Sequence, residues 1–158
     1  MQLGGPRLYA GPVVDDLQVL VASHLRRAGQ RFTPRRKVLI EALARAGRPV
    51  TAAELVAAEP RLPQSTAYQN LAFLEQAGVV RRVMGSDEFA RFEIAEGVTG
   101  RHHHHLVCIS CGAIEDFEAP RQLEKGLTDA IRQFTGGTGF RADTHRLDIL
   151  GSCARCTR

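Results

Sequence analysis

Apolar residues in the first half of the chain recur at helical spacing. Leu17, Leu20, Val21 and Leu25 fall on one face of a helix that Asp15 or Asp16 can cap, and Gly29 is the glycine that commonly ends one. Thr33-Pro34 opens a second helix, a hydroxyl cap followed by proline at the first helical position. Val38, Leu39, Ala42, Leu43 and Ala46 then form its apolar stripe, and Gly47 stops it. Thr51 with Glu54 three residues on is a capping box for a short helix through Leu55 and Val56, which Pro60 must end. A fourth helix is expected from about Gln64 to Ala77, with Ala67, Leu71 and Leu74 inward and Gly78 as terminator. The period then changes. Val79, Val80 and Val83, and the run from Phe89 to Ile94, read as two strands joined at Gly85-Ser86-Asp87.

Leu106 to Ile109 and Ala113 to Phe117 alternate as a strand pair around Ser110-Cys111-Gly112. Pro120 opens a helix carrying Leu123, Leu127, Ile131 and Phe134. Gly136, Gly137 and Gly139 break it, and Phe140 to Leu150 is expected to return as strand. The fold class is α+β. Helices followed by a two-stranded ribbon have the order of a winged helix-turn-helix, placed over residues 15–85. A flexible arm is expected over residues 1–14, a hinge over 86–101, and an α/β domain over 102–158.

The chain has 44% apolar and 24% charged residues, a globular balance that excludes a disordered protein. No apolar run approaches the roughly 18 residues of a membrane span, and the glycine- and proline-rich start lacks a signal-peptide core, so a cytoplasmic address is expected. Charge is uneven. Residues 24–82 hold 11 Lys+Arg against 4 Asp+Glu, whereas residues 83–158 hold 9 against 11, so one half suits a polyanion and the other does not. In the winged-helix order the helix before the ribbon enters the major groove of double-stranded DNA. Its inward face is spent on Ala67, Leu71 and Leu74, which leaves Ser65, Tyr68 and Gln69 outward. Arg26, Arg27, Arg31, Arg35, Arg36 and Lys37 precede it, and Arg81 and Arg82 lie on the wing.

The densest chemistry runs from His102 to Cys111, four imidazoles and two thiols in ten residues, with a second Cys-x-x-Cys at Cys153 and Cys156. In a reducing compartment such pairs are zinc ligands more often than disulfides. Cys108, Cys111, Cys153 and Cys156 would fill a tetrahedron and leave no open position. If residues 102–106 are extended, His103 and His105 share one side and His102 and His104 the other, so one segment supplies two ligands to each of two sites. The remaining ligands come from elsewhere, from a pool of His145, Glu93, Glu96, Asp116, Glu118 and Glu124. Mixed nitrogen and oxygen donors suit zinc, ferrous iron, manganese or nickel.

These residues resemble the ferric uptake regulator family of bacterial metal-dependent repressors over about residues 17–158. The resemblance rests on Gly29-x-Arg31-x-Thr33-Pro34-x-Arg36 and on Ser65-Thr66-Ala67-Tyr68 with Leu71, Leu74 and Ala77-Gly78. It rests also on the histidine run leading into Cys108 and Cys111, and on His145 before Cys153. It implies a winged-helix domain joined to an α/β dimerisation domain, homodimers, and DNA binding when a regulatory metal is present. Cys108, Cys111, Cys153 and Cys156 resemble its structural zinc site. His103, His105 and Glu93 resemble its regulatory hinge site, and His102, His104, Glu124 and His145 its further site. Tyr68 matches its recognition-helix tyrosine, and Arg31 a basic residue near the minor groove.

The chain departs from that pattern where iron-type members bring a histidine to the hinge, which here is Pro49. Arg81 stands where zinc-type members often have a ligand, and Gln69 where an arginine usually follows the tyrosine. The resemblance leaves Glu96 as an alternative to Glu93, and His24 or Asp87 as candidates for the missing ligand. The expected function is a homodimeric, metal-dependent repressor on a palindromic operator, with zinc as first choice of regulatory metal and an iron-responsive or peroxide-sensing member as the alternative. A zinc hydrolase would also use His, His and Glu, but no candidate nucleophile or cleft motif accompanies them. A thiol redox protein would need an exposed low-pKa thiol outside the zinc spacing.

Overall fold

The computed structural model describes residues 14–157, so the arm expected over residues 1–14 lies outside them except at its last residue. Helix α1 spans Val14–Arg27 with Asp16 inside it, and the cap expected at Asp15 or Asp16 falls at the edge of the described residues. It buries Leu17, Val21 and Leu25 completely, four residues apart, and leaves Leu20 42% exposed, a stripe one position narrower than expected. Helix α2 (Pro34–Ala46) starts where Thr33 Oγ1 accepts the Arg36 N–H and ends at Gly47 in the left-handed region. Helix α3 (Ala52–Ala58) has the full capping box between Thr51 and Glu54, and α4 (Gln64–Gln76) buries Ala67, Leu71 and Leu74. No side chain caps the N-terminus of α4.

Strands β1 (Val50–Thr51), β2 (Val80–Met84) and β3 (Ala90–Ile94) form an antiparallel sheet in the order β1-β3-β2. Two residues are too few for β1 to show a period. The register sets Arg81 opposite Glu93. The wing therefore runs on to Ile94, and the stretch expected as a hinge holds β3 and the short α5 (Glu96–Thr99). One core unites α1 to α4 with Val80, Phe92 and Val98.

Strands β4 (His104–Cys108), β5 (Ile114–Phe117) and β6 (Asp148–Gly151) form the second sheet in the order β5-β4-β6, with β4-β5 antiparallel and β4-β6 parallel. Helix α6 (Arg121–Thr135) makes the crossover that a parallel pair requires. The return strand is shorter than expected: residues 140–147 carry no strand, and pairing begins only where Asp148 meets His105. Among the described residues α6 buries none, and Leu123, Phe134, Phe140, Ile149 and Leu150 are all exposed.

The two halves meet at the wing. Val83 of β2 packs with Val107 and Ile114, and Ser86 Oγ donates to the Cys108 carbonyl at 2.8 Å. Arg91 grips Asp87 through two bonds of 2.6 and 2.7 Å, and this pair covers Gly112, whose φ is +68°. A Cβ on Gly112 would lie 2.1 Å from Asp87 Oδ2. Gly112→Ala is therefore expected to lower the unfolding free energy by about 2 kcal/mol or more. Gly97→Ala, where a Cβ meets nothing within 4 Å, should cost less than about 0.5 kcal/mol. Urea titration of the metal-loaded protein compares the two, and equal stabilities would mean that the wing does not rest on Gly112.

Candidate metal centres

The thiol cluster is built from two turns. Cys108 closes β4, and Cys111 follows in a turn where the Gly112 N–H donates to the Cys108 carbonyl at 3.0 Å. Cys153 and Cys156 sit in the same kind of turn after β6. The parallel pairing of β4 with β6 brings the turns together, and one ligand atom from each residue lies within 4.8 Å of the others. Cys111 Sγ and Cys153 Sγ are 3.7 Å apart, close to the roughly 3.8 Å that separates sulfurs around a tetrahedral zinc ion. All four thiols are free of disulfides. Backbone N–H groups of Cys153 and Cys111 hold the Cys108 thiol down to about 6, whereas hydrogen bonding with the Cys111 and Cys153 thiols pushes Cys156 up to about 12. Four thiolates so close are stable together only around a cation, so the residues fit a structural zinc.

The alternation of the histidine run holds. His103 and His105, both buried, meet Glu93 and Asp116 on one side, while His102 and His104 meet Glu124 and His145 on the other. In the first set Glu93 Oε2 lies 3.1 Å from His103 Nε2 and 3.3 Å from His105 Nε2. Asp116 oxygens lie 3.8 Å and 3.7 Å from the same two nitrogens. His105 Nδ1 faces Asp148 Oδ1 at 3.3 Å, a partner that turns Nε2 toward the other ligands. Burial opposes the charge on Glu93, but His103, His105 and Arg81 outweigh it and keep the carboxyl ionised. Burial and the Glu93 charge push Asp116 up to about 6. Asp116 Oδ1 is buried without a hydrogen bond. Two such carboxylates beside two imidazoles fit a divalent cation.

Asp116 belongs to the sequence pool but has no place in it from spacing alone. The β4-β5 register supplies one, since Asp116 sits opposite His105.

In the second set Glu124 comes from the first turn of α6. Its Oε1 lies 2.6 Å from His104 Nε2, and its Oε2 lies 3.2 Å from His145 Nε2 and 3.7 Å from His102 Nε2. His104 Nδ1 is buried without a hydrogen bond. Glu96 stands between the two sets, with Oε2 3.1 Å from His102 Nδ1 and Oε1 3.6 Å from His103 Nδ1, while Glu93 is the carboxylate that converges with His103, His105 and Asp116. Neither alternative ligand reaches the hinge set. Asp87 is committed to Arg91, and His24 Nε2 lies 3.1 Å from the Ala77 carbonyl.

On the helical half, Ser65, Tyr68 and Gln69 are exposed along α4, with Tyr68 at 49%. Arg26, Arg27, Arg31, Arg35 and Lys37 are exposed as well. Two residues expected at DNA, Arg36 and Arg81, also make contacts within the chain. The Arg36 guanidinium lies 3.4 Å over the Phe73 ring and donates to the Arg31 carbonyl at 2.6 Å and to Asn70 Oδ1 at 3.3 Å, joining α2 to α4. Arg81 turns inward, with Nε donating to Glu93 Oε1 at 2.7 Å, because the strand register makes the two residues neighbours.

The ferric uptake regulator family model matches residues 27–150. The chain is 30% identical over 138 residues to the peroxide operon regulator of Bacillus subtilis, covering 85% of this chain and 89% of that one. It is 31% identical over 145 residues to the peroxide-responsive repressor PerR of Staphylococcus aureus, covering 89% and 91%. The fold superposes on the ferric uptake regulator of Helicobacter pylori with a TM-score of 0.71 at 19% identity, over 93% of this chain and 95% of that one. These relatives are regulators rather than enzymes. With the family model spanning the recognition helix, the wing and both histidine clusters, the chain belongs to the ferric uptake regulator family.

Proposed function

We propose that this protein is a homodimeric, metal-dependent transcriptional repressor acting in the cytoplasm, whose hinge set senses a divalent ion. One observation carries the reading. Glu93 lies on wing strand β3, whereas His103, His105 and Asp116 lie in the second half, so an ion held by all four ties the DNA-binding half to the other. Such an ion selects one relative placement of the two only through differential affinity. Moving an equilibrium from 1:99 to 99:1 takes about 5.5 kcal/mol of it. Among the described residues no helix is long and apolar enough to cross a membrane.

The exposed apolar residues of α6 and of the chain after it, Leu123, Phe134, Phe140 and Leu150, support a second copy as their cover. The dimer would set two α4 helices in successive major grooves about 34 Å apart on a palindrome. Tyr68, Ser65 and Gln69 would read bases, and Arg31 would contact the backbone. Zinc is the ion for the four thiols. The case for zinc at the hinge depends on a missing ligand, and Asp116 supplies one. Two imidazoles with two carboxylates are also a set for ferrous iron or manganese. The peroxide-responsive relatives support that second reading. A metal series in operator-binding assays separates the two, and peroxide should release the iron-loaded protein only if the second holds.

Tyr68→Ala should weaken operator binding by about 1–3 kcal/mol and leave metal content unchanged, as anisotropy titration and elemental analysis would show. Loss of both together would make Tyr68 a folding residue. Asp116→Asn should abolish the metal-dependent gain in operator affinity while the thiol-bound zinc stays. Protons compete for the hinge ligands. With Asp116 raised to about 6 and His103 raised through Glu93, hinge affinity should fall steeply as pH drops through 6 and stay nearly level above 8. A competition titration across that range that shows no such fall would remove Asp116 from the ligand set.

A further inference from the structure

Arg81 is a cation built against the hinge set. It sits on β2 opposite Glu93, its Nε donates to Glu93 Oε1 at 2.7 Å, and its Nη1 stands 3.8 Å from Glu96 Oε1. The Arg81 side chain is 28% exposed and that of Glu93 6%, so the pair is largely withdrawn from water. The other oxygen of the same carboxylate, Oε2, is the atom that faces His103 and His105. Glu93 is thus divided between a fixed charge on the wing and the position where a metal ion would be held.

Charge decides what that division does. Ionised Glu93 and Asp116 carry two negative charges and neutral imidazoles carry none, so a divalent ion would neutralise the set. Arg81, which Glu96 meets only at 3.8 Å, then places a fixed positive charge beside the ion. It repels the ion, and it holds back the oxygen that a chelating carboxylate would add. It also holds Glu93 in place before any ion arrives, which works in the opposite direction. That second effect is the smaller one, because His103 and His105 contact the same carboxylate and orient it without Arg81. A surface ion pair would matter little. This one is partly desolvated and touches a ligand atom.

We propose that Arg81 is an affinity-setting residue, an internal competitor for Glu93 that raises the free-metal concentration at which the hinge set fills. It rests on the reading of Glu93, His103, His105 and Asp116 as the sensing site. Arg81 would then be displaced in part whenever the ion binds, so the wing strand itself carries the signal of occupancy.

The test uses the full chain loaded with zinc at the thiols and titrated with Mn2+, with free Mn2+ read by electron paramagnetic resonance. Arg81→Gln should bind Mn2+ at least about tenfold more tightly than the unaltered chain, the change expected when a unit charge beside a ligand atom is removed. Arg81→Lys, which keeps the charge, should stay near the unaltered affinity. The added affinity should vanish in Arg81→Gln combined with Asp116→Asn. Arg81→Gln binding Mn2+ equally or more weakly overturns the proposal, as does a loss of operator affinity at saturating metal with no change in metal binding, which would make Arg81 a DNA contact.

A second measurement needs no substitution. The Arg81 Nε–H resonance should move as Zn2+ is added beyond the thiol-bound equivalent, and a resonance that stays still overturns the proposal. If the unaltered chain takes up no ion at the hinge set, the sensing site itself is refuted. If it does, and Arg81→Gln binds no more tightly, only the role of Arg81 is.

Discussion

A buried carboxylate governs how the two halves of the chain are placed. Glu93 is 6% exposed, and an ionised group so withdrawn from water is tolerated only when charged or hydrogen-bonding partners close around it. Its partners come from both sides of the boundary: Arg81 from the neighbouring wing strand, and His103 and His105 from the second half. Strands β3 and β4 must therefore hold one distance and orientation for Glu93 to remain charged. The four-residue α5 and the segment after it are the covalent link, and Val98 anchors that link in the helical core. A change in charge at this one carboxylate is thus a change in how the winged helix is held.

The thiol knuckle is tied to the same wing from the other end. Ser86 donates to the Cys108 carbonyl, and the Asp87-Arg91 pair lies over Gly112, one residue beyond Cys111. Val83 is the apolar residue that the helical half contributes to the small core around Val107 and Ile114. The wing hairpin is consequently held at its base by Glu93 and at its tip by the backbone of a metal-binding turn. Four-thiolate zinc centres are commonly regarded as passive staples, but here the fold of the turn is what the wing rests against. Loss of the ion would therefore loosen the DNA-binding half as well as the small domain.

Much of this arrangement was legible in the sequence, and the exceptions share a cause. The caps of α2 and α3, the terminating glycines and the alternation of His102 to His105 depend on local rules, and each appears where those rules put it. What escaped depends on lateral neighbours. Asp116 joins the cluster of His103, His105 and Glu93 only through the β4-β5 register, and Arg81 turns inward only through the β2-β3 register. Arg36 reads only as one of a basic run until Phe73 and Asn70 are brought beside it by the crossing of α2 and α4. The strand expected from Phe140 onward failed differently. Its apolar residues lose their phase across Asp143 to Arg146, Gly137 and Gly139 adopt left-handed φ just before it, and pairing begins only where His105 meets Asp148. Apolar residues at its two ends suggest a strand; pairing decides how much of the segment becomes one.

The three donor sets are graded in softness, and the grading explains how one chain can hold a permanent ion and a reporting ion at once. Four thiolates present the softest set, closed to further ligands, and a zinc ion held there would bind with free energy that belongs to folding. Three imidazoles with Glu124, and two imidazoles with Glu93 and Asp116, are progressively harder and make no use of sulfur. On the proposed function a free ion would meet sites of unequal affinity, and the thiol set would fill first and stay filled while the oxygen-bearing sets remained in exchange. That order is needed for sensing. A sensor whose scaffold lost its metal over the same concentration range as its detector would unfold in part where it ought only to switch. On the reading proposed above, Arg81 and the raised Asp116 would widen the gap further from below, since both would weaken the hinge set and neither touches the sulfurs. The separation is therefore built from charge as well as from donor type, and charge can be retuned by a single residue without disturbing the knuckle on which the wing depends.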